Sequence, residues 1–284
     1  MLALFSCSTE ERREKSLSQL DKATELMEGD AEKALEALKK VNTASLQKDE
    51  YYRYLLLNAR VSSMLRADIS GMKESVDNAL SHFISTNNPP YIAFAAYVQA
   101  KVYEANSQPA SALSSYHSAD YWAEKASYRI PGFTYIAIPY NIASYYKRSG
   151  DYQKSLDYLK KTTYNGSVAS PKSYHTLRLH SLELTAIDYM YLSLPDSSFL
   201  YYDKAFQLAE QQEQAYAKQR ITANRIEMLS NLDNVELAET QINSLLKAYT
   251  TTNDSAFISL TNLSLARVYT KTNRATLGVR IALK

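Results

Sequence analysis

The sequence of 284 residues contains little of what a sheet-rich, disulfide-linked or membrane-spanning protein needs. It has 6 glycines, 7 prolines and 1 cysteine, and it has no Val/Ile-rich alternating runs bounded by turns. A sheet-rich fold is therefore excluded, and a single cysteine cannot build a disulfide or a metal framework. No run of about 18 apolar residues is present that could cross a bilayer. These absences favour a helical protein.

Recognisable catalytic and cofactor motifs are missing as well. The sequence contains no G-x-S-x-G, no phosphate-binding P-loop and no G-x-G-x-x-G after a strand. Its 4 histidines are at positions 82, 117, 175 and 180, and the last two are five residues apart, which places them on different faces of a helix. No carboxylate lies at a zinc-ligand spacing from them. We therefore predict a protein that is not an enzyme and that binds no metal and no cofactor.

The charge distribution argues against a nucleic-acid partner. The formal net charge is +2, and acidic and basic side chains are interspersed along the chain. Five basic residues near the end are spread over 18 positions, which is typical of a solvated helix face rather than of a DNA-binding arm: Arg267, Lys271, Arg274, Arg280 and Lys284. The sequence thus predicts no contact with nucleic acid.

Tyrosine is the abundant aromatic residue, with 24 copies against 7 phenylalanines and 1 tryptophan. A tyrosine ring can pack against apolar neighbours while its hydroxyl stays in water. This property suits a fold with a large surface for its volume. Most of the tyrosines are predicted to pack between helices, and the rest to line a binding groove.

Three stretches of the chain align on one template, namely Ala100–Ala119, Ala143–Thr162 and Ala186–Ala205. Each begins with an alanine, has a tyrosine three positions later, a small residue at twelve, a bulky one at sixteen and a small one at nineteen. The stretches begin 43 residues apart (100, 143, 186). Small residues let two helices cross at about 8–10 Å, and a fixed period in this range indicates an array of helix pairs.

This template resembles the tetratricopeptide repeat (TPR) family, and the middle unit carries Gly150 and Tyr152 in its turn as that family does. The period exceeds the usual 34 residues and lies in the range of HEAT and armadillo repeats, about 40–47, which are the alternative. The offsets of the small residues favour TPR. The resemblance implies an all-α fold, a right-handed α-solenoid of antiparallel helix pairs.

The predicted domain organisation follows from this repeat. Residues 16–284 are predicted to form one helical repeat domain of about five to seven helix pairs, preceded by a tether at residues 1–15. The three matched units are predicted to start with helices near Tyr91, Phe133 and Pro171, because proline and glycine punctuate the chain before or at these points.

In the TPR family the first helix of each unit lines a concave groove that binds peptides. The resemblance therefore implies a set of groove residues around the shared small residue of each unit: Tyr97, Lys101, Glu104, Tyr140, Ser144, Lys147, Glu183, Ile187 and Glu227. Because interface hot spots favour tyrosine, Tyr97 and Tyr140 are the predicted anchors, and Lys101 and Lys147 are predicted to attract an acidic partner. The alternative is that both tyrosines pack between neighbouring helices.

The segment Leu4-Phe5-Ser6-Cys7 resembles a bacterial lipobox, and the polar, acidic residues after it resemble the tether of Bacteroidetes-type lipoproteins. The resemblance implies a lipid anchor at Cys7 and a place in the cell envelope, periplasmic or on the surface. A secretory signal needs a basic region and about 7–15 apolar residues, whereas only the residues from Leu2 to Phe5 precede this motif. We therefore expect further residues before Met1 if Cys7 is lipidated, and a cytoplasmic protein otherwise.

These observations predict a non-enzymatic protein–protein interaction scaffold with a peptide or protein partner. Two alternatives stay open. One is the sensor or regulatory module of a membrane-linked transcriptional regulator, because the organisation resembles such TPR regulators and the last helix has no capping sequence. A hydrophobic span of about 20 residues after Lys284 would favour it. The other is a nutrient-binding lipoprotein of the envelope.

Overall fold

The computed structural model describes residues 2–162, 172–232, 234–252, 255–271 and 274–282, and within the first helix it describes side chains from Glu10 onward. Over these residues it contains α-helices and two short 3-10 turns, and no strand. This confirms the all-α fold class. The helices are α1 Leu2–Leu26, α2 Ala31–Leu38, α3 Lys48–Met64, α4 Lys73–Ser85, α5 Pro89–Ala105, α6 Pro109–Lys125, α7 Ala137–Arg148, α8 Tyr152–Lys161, α9 Lys172–Tyr191, α10 Pro195–Gln211, α11 Ala215–Asn231, α12 Val235–Thr252, α13 Ser255–Thr270 and α14 Ala275–Ala282.

The chain divides into two compact units, Met1–Leu184 and Thr185–Lys284, with the division inside α9. In the first unit, α1 to α8 form four successive helix pairs, and α1 and α5 both pack on α3. We call α1, α3, α5 and α7 the first-helix layer, since each is the first member of its pair. In the second unit, α13 packs on α11, α12 and α14.

The repeat template predicted from the sequence is confirmed by burial. The three alanines that begin the stretches, Ala100, Ala143 and Ala186, are all 0% exposed. The later template positions are 2% exposed or less, and these are Ala112, Tyr116, Ala119, Ser155, Leu159, Thr162, Ser198, Tyr202 and Ala205. Small side chains at these points leave room for the neighbouring helix. The positions that repeat in the sequence are therefore the positions at which the helices pack.

The turns between paired helices repeat with the same period. Ser107, Gly150 and Ser193 each follow the first helix of a pair at intervals of 43 residues, with φ of 55°, 82° and 59°. In each turn the next amide donates back to a carbonyl at 2.9 Å, for example from Gln108 to Tyr103. This left-handed residue with a six-to-one hydrogen bond is the Schellman motif, which satisfies the last carbonyls of a helix.

The structure differs from the predicted organisation at the start of the chain. α1 begins at Leu2, so residues 2–15 are helical and no break separates a tether from the repeat domain at residue 16. The segment contains neither glycine nor proline to stop a helix. Arg13 also binds Glu50 of α3, with Nη2 and Oε1 2.6 Å apart, which ties this part of α1 to the next helix pair.

A second difference concerns the connection between α6 and α7. The predicted helix start near Phe133 is wrong, because α7 begins at Ala137 and residues 126–136 form an irregular loop. Pro131 and Gly132 lie in a turn within this loop, as their sequence indicates. The predicted start at Pro171 lies outside the described residues. We call residues 126–136 the α6–α7 loop.

Candidate functional site

The predicted groove residues all lie on first helices of their pairs. Tyr97, Lys101 and Glu104 are on α5, Tyr140, Ser144 and Lys147 are on α7, Glu183 and Ile187 are on α9, and Glu227 is on α11. Those up to Glu183 belong to the first compact unit, and Ile187 and Glu227 to the second. The residues that can form one site are therefore those on α5 and α7, together with the part of α9 that belongs to the first unit.

Tyr97 is not an accessible anchor, which corrects the prediction. Its side chain is 2% exposed. Its ring lies 5.7 Å from the ring of Tyr116 and 5.0 Å from that of Phe133, and the guanidinium of Arg60 lies 5.1 Å from its centroid. The ring is thus enclosed from several sides, and the alternative of packing between helices is the one observed.

The burial of Tyr97 has a cause outside the repeat. Tyr97 and Tyr140 occupy the same template position 43 residues apart, yet Tyr140 is half-buried while Tyr97 is buried. Phe133 of the α6–α7 loop covers Tyr97. The Tyr140 ring faces His180 of α9 instead, with centroids 6.5 Å apart. Tyr140 therefore stays a candidate anchor.

Polar side chains of α5 and α7 meet across the first-helix layer. The Lys101 ammonium lies 2.8 Å from the Glu104 carboxylate and donates to the Asn141 side-chain oxygen at 3.3 Å. The Tyr145 hydroxyl donates to the other Glu104 oxygen at 3.2 Å. The Asn141 amide nitrogen donates to the Ala137 carbonyl at 2.6 Å, which turns its oxygen toward Lys101. We call Lys101, Glu104, Asn141 and Tyr145 the α5–α7 polar cluster.

This cluster is partly open to solvent. The side chains of Lys101 and Glu104 are 21% and 29% exposed. Partial burial raises the pKa of the Tyr145 hydroxyl, and the neighbouring Glu104 carboxylate adds to the rise, so the phenol stays protonated as a donor. The cluster therefore offers an ammonium group, a carboxylate, an amide and a phenol in fixed positions, half-shielded from water.

A buried hydroxyl lies beneath the cluster. Tyr116 of α6 is 0% exposed, and the Lys101 ammonium lies 5.7 Å from its ring centroid. Its hydroxyl has no hydrogen-bond partner among the residues that the structure describes. Burial raises its pKa well above the ordinary value, since the low-dielectric surroundings disfavour a phenolate. Tyr116 thus lies against the cluster as a buried, neutral phenol.

The other predicted groove residues have mixed environments. Ser144 is half-buried and donates its hydroxyl to the Tyr140 carbonyl of its own helix at 2.9 Å. Lys147 and Ile187 are half-buried, and Glu227 is exposed. Glu183 is 8% exposed, so its carboxylate does not lie on an open face and its predicted place in a groove is wrong.

Several features bear on the remaining predictions. The side chain of Cys7 lies outside the described residues, so its predicted lipidation stays a prediction. Among the described helices, none is both long and apolar enough to cross a membrane. Within the same residues, no group of three or more His, Cys, Asp or Glu side chains is placed to share a metal ion.

The sequence alone did not indicate the contribution of Tyr145 or of the α6–α7 loop. Tyr145 precedes the template tyrosine Tyr146, and the repeat pattern gives it no special weight. The turn at Pro131-Gly132 was recognisable, but the surface against which that turn packs was not. Both contributions depend on which elements become neighbours in space.

Comparison with known proteins finds similarity at the level of structure. No known family profile and no curated protein sequence matches the chain. Among solved structures, the apo form of RapI superposes with a TM-score of 0.62 at 13% identity, over 94% of this chain and 74% of RapI. The chain has a TPR-like helical repeat fold.

Two further solved structures support the same fold. A Rap protein complexed with competence and sporulation factor has a TM-score of 0.54 at 14% identity, over 95% of this chain and 76% of its own. NprR in complex with its cognate peptide NprX has a TM-score of 0.54 at 15% identity, over 93% and 75%. The TPR-like interpretation of the 43-residue template is thereby confirmed, and the HEAT and armadillo alternatives are not needed.

Proposed function

We propose that this protein is a non-enzymatic interaction scaffold that binds a peptide or protein partner on its first-helix layer. The observation that carries the proposal is the α5–α7 polar cluster. Its four side chains are held by one another across two helices and remain partly exposed. Ordered, half-shielded donors and acceptors lose little side-chain entropy when a partner binds, so they favour affinity.

The similar structures lend support from their fold. The Rap protein and NprR in those structures are each complexed with a named factor or peptide. A TPR-like layer of helices offers an extended surface for such a ligand. The partner class proposed for this chain is accordingly a peptide or an extended protein segment.

The structure changes which forces are expected to hold the partner. Lys101 was predicted to attract an acidic partner, but its charge is already paired with Glu104. Such a pair adds little long-range field, whereas its remaining donor and acceptor positions can bond a peptide backbone. We therefore propose hydrogen bonding by the cluster, with Tyr140 as the aromatic contact.

The experiment selects peptides that bind the immobilised full chain from a random display library and then tests them on two variants. Ser144→Arg places a bulky cation beside Tyr140 without removing a hydrogen bond between helices, because the Ser144 hydroxyl bonds within its own helix. Gln153→Arg adds the same side chain at an exposed position of α8 and is the control.

We expect Ser144→Arg to weaken binding of the selected peptides at least about tenfold, which corresponds to roughly 1.4 kcal/mol, and Gln153→Arg to leave it unchanged. Equal binding to both variants and the natural chain would place the partner elsewhere. Circular dichroism of both variants checks that the helices are intact.

A lipid anchor at Cys7 is a separate part of the proposal and rests on the lipobox-like residues. Mass spectrometry of the protein purified from its own host tests it. An acylated N-terminal cysteine would support an envelope location. A mature chain that begins at Met1 would instead place the protein in the cytoplasm.

A further inference from the structure

The α6–α7 loop lies on the first-helix layer rather than in solvent at the edge of the repeat. Ile130 is 2% exposed, Phe133 is 5% exposed and Thr134 is 3% exposed. Their neighbours include Phe94 of α5, in the helix pair that the loop follows, and Glu28 in the turn after α1, two helix pairs earlier in the chain. In a repeat array each unit normally contacts only its neighbours, so this long-range contact needs an explanation of its own.

The central part of the α6–α7 loop is a tight turn. Ile130, Pro131, Gly132 and Phe133 form it, with the Phe133 amide donating to the Ile130 carbonyl at 3.3 Å. Gly132 has φ of 72°. Proline followed by a left-handed glycine is the sequence of a type II turn. The turn projects the glycine backbone and the Phe133 ring toward the helices.

The glycine allows the loop backbone to approach the backbone of α1. A Cβ atom at Gly132 would lie 2.1 Å from the Thr24 carbonyl oxygen and 2.8 Å from that of Glu25. Both distances are far below a van der Waals contact, and neither oxygen belongs to a movable side chain. Only glycine fits at this point.

The aromatic side chain after the glycine enters a pocket of rings. The Phe133 centroid lies 5.1 Å from that of Phe94 and 5.0 Å from that of Tyr97, both on α5. These separations and the inclined planes are those of favourable aromatic pairs. Tyr135 of the loop itself covers the outer side at 4.7 Å.

A buried carboxylate binds the loop backbone. The Glu28 Oε2 atom accepts from the Thr134 amide at 2.9 Å, and Oε1 accepts from Arg60 Nε at 3.0 Å and from Arg60 Nη2 at 2.6 Å. The Glu28 side chain is 0% exposed and that of Arg60 is 9% exposed. Arg60 holds one carboxylate oxygen and stacks on Tyr97, which leaves the other oxygen for a main-chain N–H.

A fixed carboxylate that accepts from a main-chain N–H, an aromatic pocket and a gap that admits only glycine together favour a peptide turn in which an aromatic residue follows a glycine. We propose that Glu28, Arg60, Phe94 and Tyr97 form a binding site for a turn-forming Gly-aromatic peptide segment, and that the chain fills this site with its own α6–α7 loop. The site is distinct from the α5–α7 polar cluster.

The loop occupies the site as an intramolecular competitor. A tethered segment acts at an effective concentration on the order of millimolar. A free Gly-aromatic peptide therefore gains access only after the loop leaves, and its observed affinity falls by the fraction of time that the site is open. In the natural chain, the loop thus inhibits binding of a free peptide at this site.

The test adds the loop sequence as a separate peptide to chains whose own loop is replaced or displaced. In a first variant, residues 127–135 of the full chain are replaced by glycine and serine at the same length. In a second variant, Gly132→Ala displaces the natural loop by the clash with α1. A fluorescently labelled peptide with the sequence of residues 126–136 is titrated against each chain and followed by anisotropy.

We expect saturable binding to both variants, and binding to the natural chain that is weaker by at least about a hundredfold because its site is filled. A peptide carrying Gly132→Ala should not bind. In the first variant, Glu28→Gln should weaken binding at least about tenfold, since it replaces a charged acceptor. Bound peptide should raise the melting temperature of both variants.

Three outcomes would overturn the inference. The first is the absence of peptide binding to folded variants. The second is equal binding to the natural chain, which places the peptide elsewhere. The third is unfolding of both variants without rescue by the peptide, which makes the loop a connector required by the fold. Since the α5–α7 polar cluster shares no residue with this site, failure of the proposed function would leave these measurements unchanged.

Discussion

Two glycines in left-handed conformation allow the energetic cost of a clash between the α6–α7 loop and α1 to be measured, with Gly132 as the test position and Gly150 as the control. Gly132 and Gly150 have φ of 72° and 82°, so alanine is strained at both. The strain of a left-handed alanine is about 1–2 kcal/mol. At Gly150 no described atom lies within 4 Å of an added Cβ, so Gly150→Ala should cost that amount and no more.

Gly132→Ala carries a second cost. The added Cβ would stand 2.1 Å from the Thr24 carbonyl oxygen, so the loop or α1 must move. Forcing a methyl group into a packed site costs about 1–3 kcal/mol. If the loop leaves instead, the backbone strain is relieved, but exposing the Phe133 ring costs about 1.5–3 kcal/mol and losing the hydrogen bond from the Thr134 amide to the Glu28 carboxylate costs about 1.5–3 kcal/mol more, so this route is no cheaper than the first. We therefore expect Gly132→Ala to reduce the free energy of unfolding by about 1–3 kcal/mol more than Gly150→Ala.

The assay is urea denaturation of both variants and the natural chain, followed by circular dichroism. Limited digestion with trypsin reports directly whether the loop is docked. The Arg129–Ile130 peptide bond should be cut faster in Gly132→Ala and at the natural rate in Gly150→Ala, because Ile130 is 2% exposed while the loop is docked. Equal stability losses together with equal cleavage rates would refute the close approach of the loop to α1.

Three further predictions concern the repeat and a titrating group. Ala143→Leu should overpack a helix crossing and reduce the free energy of unfolding by about 1–3 kcal/mol, whereas the exposed control Ala105→Leu should change it little; an unchanged urea midpoint for Ala143→Leu would contradict the repeat register. Ser107→Gly should stabilise the fold by about 1 kcal/mol in the same assay, since Ser107 has φ of 55°; a loss would mean that the serine side chain matters more than its backbone. Burial lowers the pKa of His117, whose ring nitrogens lie 3.2 and 3.1 Å from two tyrosine hydroxyls. Because its folded pKa lies below the unfolded value of 6.5, stability should decline as the pH falls through that value, and His117→Gln should flatten this decline in urea titrations at several pH values; an unchanged slope would exclude His117 as its source.

The sequence by itself determined the all-helical fold class and the register of the three matched repeat units. These depend on local chemistry. Alanine or serine at fixed offsets permits close crossing, and Ser107, Gly150 and Ser193 end three first helices with the same backbone turn. The 43-residue period is therefore visible in the sequence and appears again in the structure.

The candidate site was only partly predictable, for a physical reason that Tyr97 and Tyr140 illustrate. The two residues have the same template position and the same sequence interpretation, but Phe133 of the α6–α7 loop covers Tyr97 and leaves Tyr140 half-buried. Helix patterns come from neighbours within about four positions along the chain. The contact that binds Thr134 to Glu28 joins positions 106 residues apart, and such a contact is decided by tertiary packing alone.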